Sequence, residues 1–456
     1  MLCDKCGQKE ATVHLCEIRR GIPSEFHICE SCAEMFLPQE RADIADLLEQ
    51  LPPLTGPRDA IYLERGSEPE SEELWMTGVG QHILLWEEGS GELRRVDPET
   101  GRSFDPVWSS DSRHLAHLLM DQGRYAIRVV TAAGEHVRVF YDVTPGERPQ
   151  WTPDGRKLCF SWGQGEVSTP VLADVESGEV TRLHDRAGVQ EFSPVLSPDG
   201  KRIAMLSTVQ ENPSEGRLVL VEVESRQRQV LVEAGDELIG TVSWSPDGKY
   251  LAIPVLRTPL SEMPDFEALE TLGAQDLKVL EVARRQVVFE IAGVLGCAWR
   301  ADANELVIAV EMEHRIDLLR TGGPNWPKAV TVAQDVVLPR TEVAVSGALW
   351  SSRGGQVAAV VGSSGNSRLV VGSREIAVEN PRLAAWRPGT DDVTVLTEST
   401  GQEHGHEVLC IRPTERDKSE KLAFIPVQEY YDVVGLTWAA DGKRFALEAH
   451  SAERSE

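Results

Sequence analysis

The sequence predicts an all-β chain: a β-propeller of eight blades, or seven if the irregular motif at Trp386 is not a separate blade, preceded by a small cysteine-held ribbon. Three observations predict it. A phrase built on Trp-Ser-Pro-Asp-Gly recurs with a blade-sized period, two Cys-x-x-Cys pairs lie within the first 32 residues, and an acidic, proline-bearing stretch separates the two regions. The chain has 456 residues, 41% hydrophobic and 26% charged, a globular composition able to bury a large core.

Residues 1–37 form the first domain. Cys3 and Cys6 are separated from Cys29 and Cys32 by 22 residues, so two short knuckles can present four thiolates to one tetrahedral ion. Soft ligands in that number favour Zn2+, with Cys3, Cys6, Cys29 and Cys32 as its ligands. Gly7 suits the tight turn after the first pair, residues 11–18 alternate as a strand, Gly21 marks a reversal and residues 25–28 return. The picture is a zinc ribbon around one hairpin. Four thiolates leave no open position for substrate, so the expected role is structural: the ion supplies folding energy that so short a segment lacks. A redox-sensing role would need exposed, reactive thiolates. His14, Cys16 and His27 read as ordinary strand residues rather than a second site.

The run Cys3-x-x-Cys6-Gly7, Ala11-Thr12-Val13-His14-Leu15, Gly21 and Phe26-His27-Ile28-Cys29-Glu30-x-Cys32-Ala33 resembles the N-terminal zinc-binding module of McsA-type proteins, bacterial stress-response adaptors. The resemblance covers about the first 36 residues and implies zinc ligation by the same four cysteines and a role in protein–protein regulation. The chain departs from that family afterwards, with repeats in place of a helical hairpin.

Residues 38–74 read as a linker, with ten acidic and three basic side chains and prolines at Pro38, Pro52, Pro53, Pro57 and Pro69. Within it, Ile44, Leu47, Leu48 and Leu51 share one face of a short amphipathic helix that Pro52 and Pro53 stop. That stripe is expected to dock on a neighbouring domain or to bind a partner.

Residues 75–456 carry the repeats. The motif position is occupied by Trp108, Trp151, Leu196, Trp244, Trp299, Trp350, Trp386 and Trp438. In each repeat an aromatic is expected to pack between blades, Pro-Asp-Gly to reverse the chain with glycine at φ > 0, and the next apolar run to form a strand. Only one strand-like run follows the last motif, whereas residues 82–86 and 92–96 precede the first. These runs are expected to complete the last blade, closing the domain with strands from both ends. The Trp-Ser-Pro-Asp-Gly phrase resembles the repeats of TolB-like propellers, a resemblance specific for architecture and not for function. Similar repeats form the lid of prolyl-oligopeptidase-type peptidases, but no G-x-S-x-G elbow is found here.

Composition narrows function. Lys+Arg 46 against Asp+Glu 73 gives a net charge of −27, and residues 1–37 are acidic as well, so no nucleic-acid partner is expected. No stretch has the length and hydropathy of a membrane span and no secretory signal opens the chain, so no membrane insertion and a cytoplasmic location are expected. Asp154, Asp199, Asp247 and Asp441 are assigned to turns, Cys159, Cys297 and Cys410 to strands of the core, and the histidines show no metal spacing beyond His404 and His406. No catalytic and no cofactor-binding residues are identified. The insertion at 254–274 is long enough to cover a channel or grip a peptide. The expectation is a non-enzymatic scaffold or adaptor, a protein- or peptide-binding propeller with a structural zinc site; the alternative is an enzyme or a binder of small peptides or sugars that uses the central pocket.

Overall fold

The computed structural model describes the strands 13–19 and 22–28 and residues 79–452 apart from short segments, of which 256–274 and 335–354 are the longest. Every element among the described residues is a strand. The chain divides into two compact units, one of Met1–Val79 with Pro264–Phe266 and Ala452–Glu456, the other of Gly80–Met263 and Glu267–Ser451.

In the first unit Val13–Arg19 and Ile22–Ile28 pair antiparallel, with Val13 opposite Ile28 and His14 opposite His27. The open end of this hairpin leads directly into the Cys29 segment. Cys3, Cys6, Cys29, Cys32 and the linker 38–74 lie outside the described residues.

The second unit is a succession of antiparallel sheets in chain order. The first sheet contains Arg102–Trp108, His114–Asp121, Arg124–Thr131 and His136–Tyr141; the second Gln150–Trp151, Lys157–Trp162, Thr169–Asp174 and Val180–Arg182. The third runs Val189–Leu196, Arg202–Val209, Asn212–Glu222 and Arg228–Gly235. The next two repeats are fused. Strand Gln286–Trp299 pairs through Gln286–Val294 with Gln275–Glu281 and through Val294–Trp299 with Glu305–Met312, so a single seven-stranded sheet extends from Ser243–Trp244 to Val330–Ala333. Gly293, at φ +76°, allows one continuous strand to turn from one repeat into the next. The three strands Ala358–Ser363, Asn366–Val371 and Arg374–Ile376 follow, with Trp350 outside the described residues. Pro381–Trp386 then heads a four-stranded sheet.

The closing sheet takes strands from both ends of the chain. Its order is Asp432–Trp438, Arg444–Ala452, Val79–Glu87, Leu93–Arg95. Each pair of consecutive sheets shares an apolar core because strand alternation gives every sheet two apolar faces. Leu118, Ile127 and Phe140 of the first sheet meet Leu158 and Phe160 of the second, and Ile83, Leu85 and Val96 of the closing sheet meet Trp108, Leu115 and Val130 of the first. The last sheet thus packs on the first.

The motif tryptophans add a directional bond to this packing. Indole N–H groups donate from Trp151 to the Val107 carbonyl at 3.0 Å, from Trp244 to Val195 at 3.0 Å, from Trp299 to Ser243 at 3.2 Å and from Trp108 to Thr437 at 3.2 Å. Each reaches back to the repeat before, the Trp108 bond tying the first sheet to the closing one. Where the third repeat has Leu196 instead, its backbone N–H donates to Gln150 Oε1 of the second sheet at 2.9 Å. One buried hydrogen bond of this kind contributes about 0.5–1.5 kcal/mol.

Candidate functional site

The first strands of neighbouring sheets touch: Arg102–Trp108 meets both Gln150–Trp151 and Asp432–Trp438, and Val189–Leu196 meets Ser243–Trp244. These strands are therefore innermost, and each sheet has one end made of motif turns and an opposite end where the inner strands begin.

The turn end is repeated chemistry. Ser109, Thr152, Ser197 and Ser245, each directly after the motif position, donate a hydroxyl hydrogen to Asp111, Asp154, Asp199 and Asp247 at 2.7, 2.6, 2.6 and 2.9 Å. The same hydroxyls accept the backbone N–H of His114, Lys157, Arg202 and Tyr250 at 2.9 to 3.0 Å. The aspartates accept the N–H groups of Arg113, Arg156, Lys201 and Lys249. Gly155, Gly200, Gly248 and Gly442 all take φ between +66° and +71°. Burial alone would raise the Asp247 carboxyl, but hydrogen bonds from Asn304, Lys249 and Ser245 hold it at about 2. The hydroxyl donated by Thr152 likewise lowers Asp154, and that of Ser197 lowers Asp199. These carboxylates are turn ligands, as their Pro-Asp-Gly setting predicts.

The opposite end varies from sheet to sheet. Arg148, just before the second sheet, pairs with Asp105 of the first at 2.9 Å, and the Asp105 N–H donates to Glu448 of the closing sheet at 3.0 Å. Arg382 pairs with Asp432 at 2.9 Å, joining another two inner strands. Asp105 and Ser193 take φ of +52° and +50° beside β-bulges in their inner strands, and Glu191, buried, pairs with Arg228. Val255 and Gln275, which flank the insertion, also lie at this end, so the insertion leaves and returns here.

Within this end the closing sheet holds a hydrogen-bonded set that sequence reasoning missed. Ser451 Oγ lies 2.7 Å from His82 Nε2, and His82 Nδ1 lies 3.0 Å from Asp97 Oδ2. Arg95 donates to the same carboxylate oxygen and the Ile83 N–H to the other, each at 2.9 Å. Burial opposes ionisation of Asp97, yet the bonds from His82 and Ile83 and the Arg95 charge hold its carboxyl below the usual range. Tyr430 places its ring edge-on to His82, with centroids 5.8 Å apart. On the first-sheet side of this closing sheet, within electrostatic reach of Asp97, lies His117. It stands nine residues after its motif tryptophan, where the other repeats have Phe160, Met205, Ile253, Ile308, Ala359, Val395 and Leu447. Burial pushes the His117 imidazole down to about 4, and its Nδ1 lies 3.2 Å from the Leu118 carbonyl. Ser103 Oγ, His117 Nε2 and Arg128 Nε of the first sheet are buried without a hydrogen-bond partner among the described residues. A polar seam thus interrupts an otherwise apolar succession of cores.

The other singled-out residues are dispersed. Cys159 and Cys410 are buried in strands; Cys297, in strand Gln286–Trp299, has its thiol pushed up by burial to about 12, and Cys410 to about 11. His406 is buried in strand Gly405–Arg412, with His404 exposed before it. His82 was visible in the sequence only as one histidine among several without metal spacing. Its partners stand 15 and 369 residues away in sequence, and no local motif links them.

Residues 79–253 match the family model described as the TolB beta propeller domain (PD40). The chain is 29% identical over 166 residues to an uncharacterized peptidase, YuxL, of Bacillus subtilis (strain 168), a match covering 36% of this chain and 23% of that protein. It is 30% identical over 100 residues to the Tol-Pal system protein TolB of Francisella tularensis, 22% of each chain. The matches thus span less than a quarter of the length of these curated relatives. Among solved structures, TolB of Acinetobacter baumannii is similar with a TM-score of 0.36 and 14% identity, covering 53% of this chain and 61% of that one. A puromycin-hydrolyzing peptidase of Mycobacterium tuberculosis is similar with a TM-score of 0.46 and 14% identity, covering 74% and 56%. The TolB-type propeller match thus falls on residues 79–253, every described element of the second unit is a strand, and no helix among the described residues is long and apolar enough to cross a membrane.

Proposed function

We propose that the chain is a cytoplasmic scaffold or adaptor whose eight-bladed propeller binds a protein or peptide across the end where the inner strands begin. The observation that carries this is the contrast in side-chain use: the turn end spends its polar groups on its own backbone, while the opposite end presents half-exposed pairs such as Arg148–Asp105 and Arg382–Asp432 between successive inner strands. An eight-bladed count is supported by the shared cores, in which the closing sheet packs both on the first sheet and on the one headed by Pro381–Trp386. The net charge of −27 favours a partner bearing Lys or Arg segments. Cys3, Cys6, Cys29 and Cys32 would hold a structural Zn2+; the register that sets Val13, seven residues after Cys6, opposite Ile28, directly before Cys29, supports this reading, and the bound ion would fix the ribbon as a second contact.

The test is cross-linking of the full chain in cell lysate, with the modified residues mapped by mass spectrometry. Cross-links concentrated at the inner-strand end, lost in an Arg148→Glu, Arg382→Glu double variant of unchanged melting temperature, are the expected result. Cross-links spread over the turn end, or unaffected by the double variant, would sink the proposal. One observation favours the second function, an enzyme: the Ser451–His82–Asp97 set.

A further inference from the structure

We propose that Ser451 is an activated nucleophile, with His82 as its general base and Asp97 as the positioning residue, forming an acyl-transfer site in the closing sheet. It is independent of the scaffold role and would stand or fall without it.

The three residues come from three successive parts of one sheet: Ser451 from strand Arg444–Ala452, His82 from its neighbour Val79–Glu87, and Asp97 from the segment after Leu93–Arg95. Their order of contact fixes the hydrogens. The Asp97 side chain is fully buried, and it accepts from Arg95 and Ile83 as well as facing His82 Nδ1. A carboxylate beside Nδ1 requires the hydrogen to be on Nδ1, which leaves the Nε2 lone pair to accept from the Ser451 hydroxyl 2.7 Å away. A serine hydrogen-bonded to a neutral imidazole that a buried carboxylate orients is the arrangement in which a hydroxyl becomes nucleophilic. Ser451 is half-buried, whereas His82 is 5% exposed, so the hydroxyl is the accessible member of the set.

Gly80 supports the assignment. A Cβ at this position would lie 2.4 Å from His82 Nε2 and 2.6 Å from Ser451 Oγ, so only glycine lets the chain pass this close to the reacting pair. The substrate class is a carboxylic ester. As the Ser451 Oγ–H bond breaks, its proton passes to His82 Nε2 and Oγ bonds to the acyl carbon; the ester C–O bond then breaks and the leaving oxygen takes the proton from His82. Water, deprotonated by His82, hydrolyses the acyl-serine and restores the hydroxyl.

The experiment treats the full chain with a fluorophosphonate probe, maps the adduct by peptide mass spectrometry and follows p-nitrophenyl acetate hydrolysis in parallel. The expected result is an adduct on Ser451, absent in Ser451→Ala and formed at least about a hundredfold more slowly in His82→Gln. Asp97→Asn should lower the limiting rate of inactivation while leaving the probe concentration for half-maximal rate unchanged. Should Ser451→Ala fail to fold, Ser451→Cys with iodoacetamide replaces it, alkylation being slower when combined with His82→Gln. No adduct on Ser451 at a probe concentration that labels a control serine hydrolase completely would overturn the proposal, as would labelling of equal rate in His82→Gln. The set would then be a hydrogen-bonded tie between closing strands.

Discussion

The two ends of the sheets are made from the same strands by opposite rules. At the turn end, Ser109, Thr152, Ser197 and Ser245 repeat one hydrogen-bond pattern with little variation in length, and the carboxylates beside them are consumed by their own backbone. Toward the other end the side-chain pairs do not repeat: an Arg148–Asp105 pair here, an Arg382–Asp432 pair there, and a Ser451–His82–Asp97 set where the chain closes. Repetition marks what every sheet needs in order to fold, and departure from it marks what one place in the molecule does. His117 is the sharpest case, a histidine at an otherwise apolar core position.

The largest expected effect tests that departure. The folded chain keeps His117 neutral down to about pH 4, whereas an unfolded histidine takes up its proton near 6.5. Between those values the unfolded state binds more protons, so stability present above pH 6.5 is lost as pH falls toward 4, by about 3 kcal/mol, and levels off below that. Asp97 and Arg128 are the charged groups that face it. His117→Leu, matching Leu447 in the closing sheet, is expected to flatten this slope in urea titrations run from pH 7 to 4. An unchanged slope would mean that the seam is not what makes the molecule acid-sensitive.

A smaller effect tests the repetition. Thr152→Val, Ser197→Ala and Ser245→Ala each remove a hydroxyl that both donates and accepts, and each should cost about 1–2 kcal/mol in the same titration. Equal costs across the three sheets sharpen the comparison; a cost confined to one sheet breaks it. The smallest effect is expected at the opposite end. Arg148 is about half exposed, so Arg148→Gln should change stability by no more than about 1 kcal/mol, with a double-mutant cycle against Asp105→Asn showing weak coupling that fades in salt. A large, salt-insensitive coupling would make this pair part of the scaffold and remove it from the proposed binding face.

Much of the local architecture was legible. The tryptophan positions, the Pro-Asp-Gly reversals with glycine at positive φ and the assignment of Asp154, Asp199 and Asp247 to turns all follow from chemistry within a few residues. Less legible was the joining of two repeats through strand Gln286–Trp299, because Gly293 looks like a turn residue in sequence and here only bends a continuing strand. The candidate nucleophile was not legible at all. Ser451 lies beyond the last motif, His82 before the first, and no spacing rule connects residues that meet only through pairing between distant parts of the chain.

By itself, then, the sequence determined the period, the turns and the apolar alternation, since each depends on backbone conformation and side-chain chemistry over a handful of neighbouring residues. Tertiary structure decided which strands from the two ends lie side by side, and with that the Ser451–His82–Asp97 contacts and the burial of His117. Those depend on register across the closing sheet and on packing between the last sheet and the first, where a shift of one residue would turn each side chain to the other face.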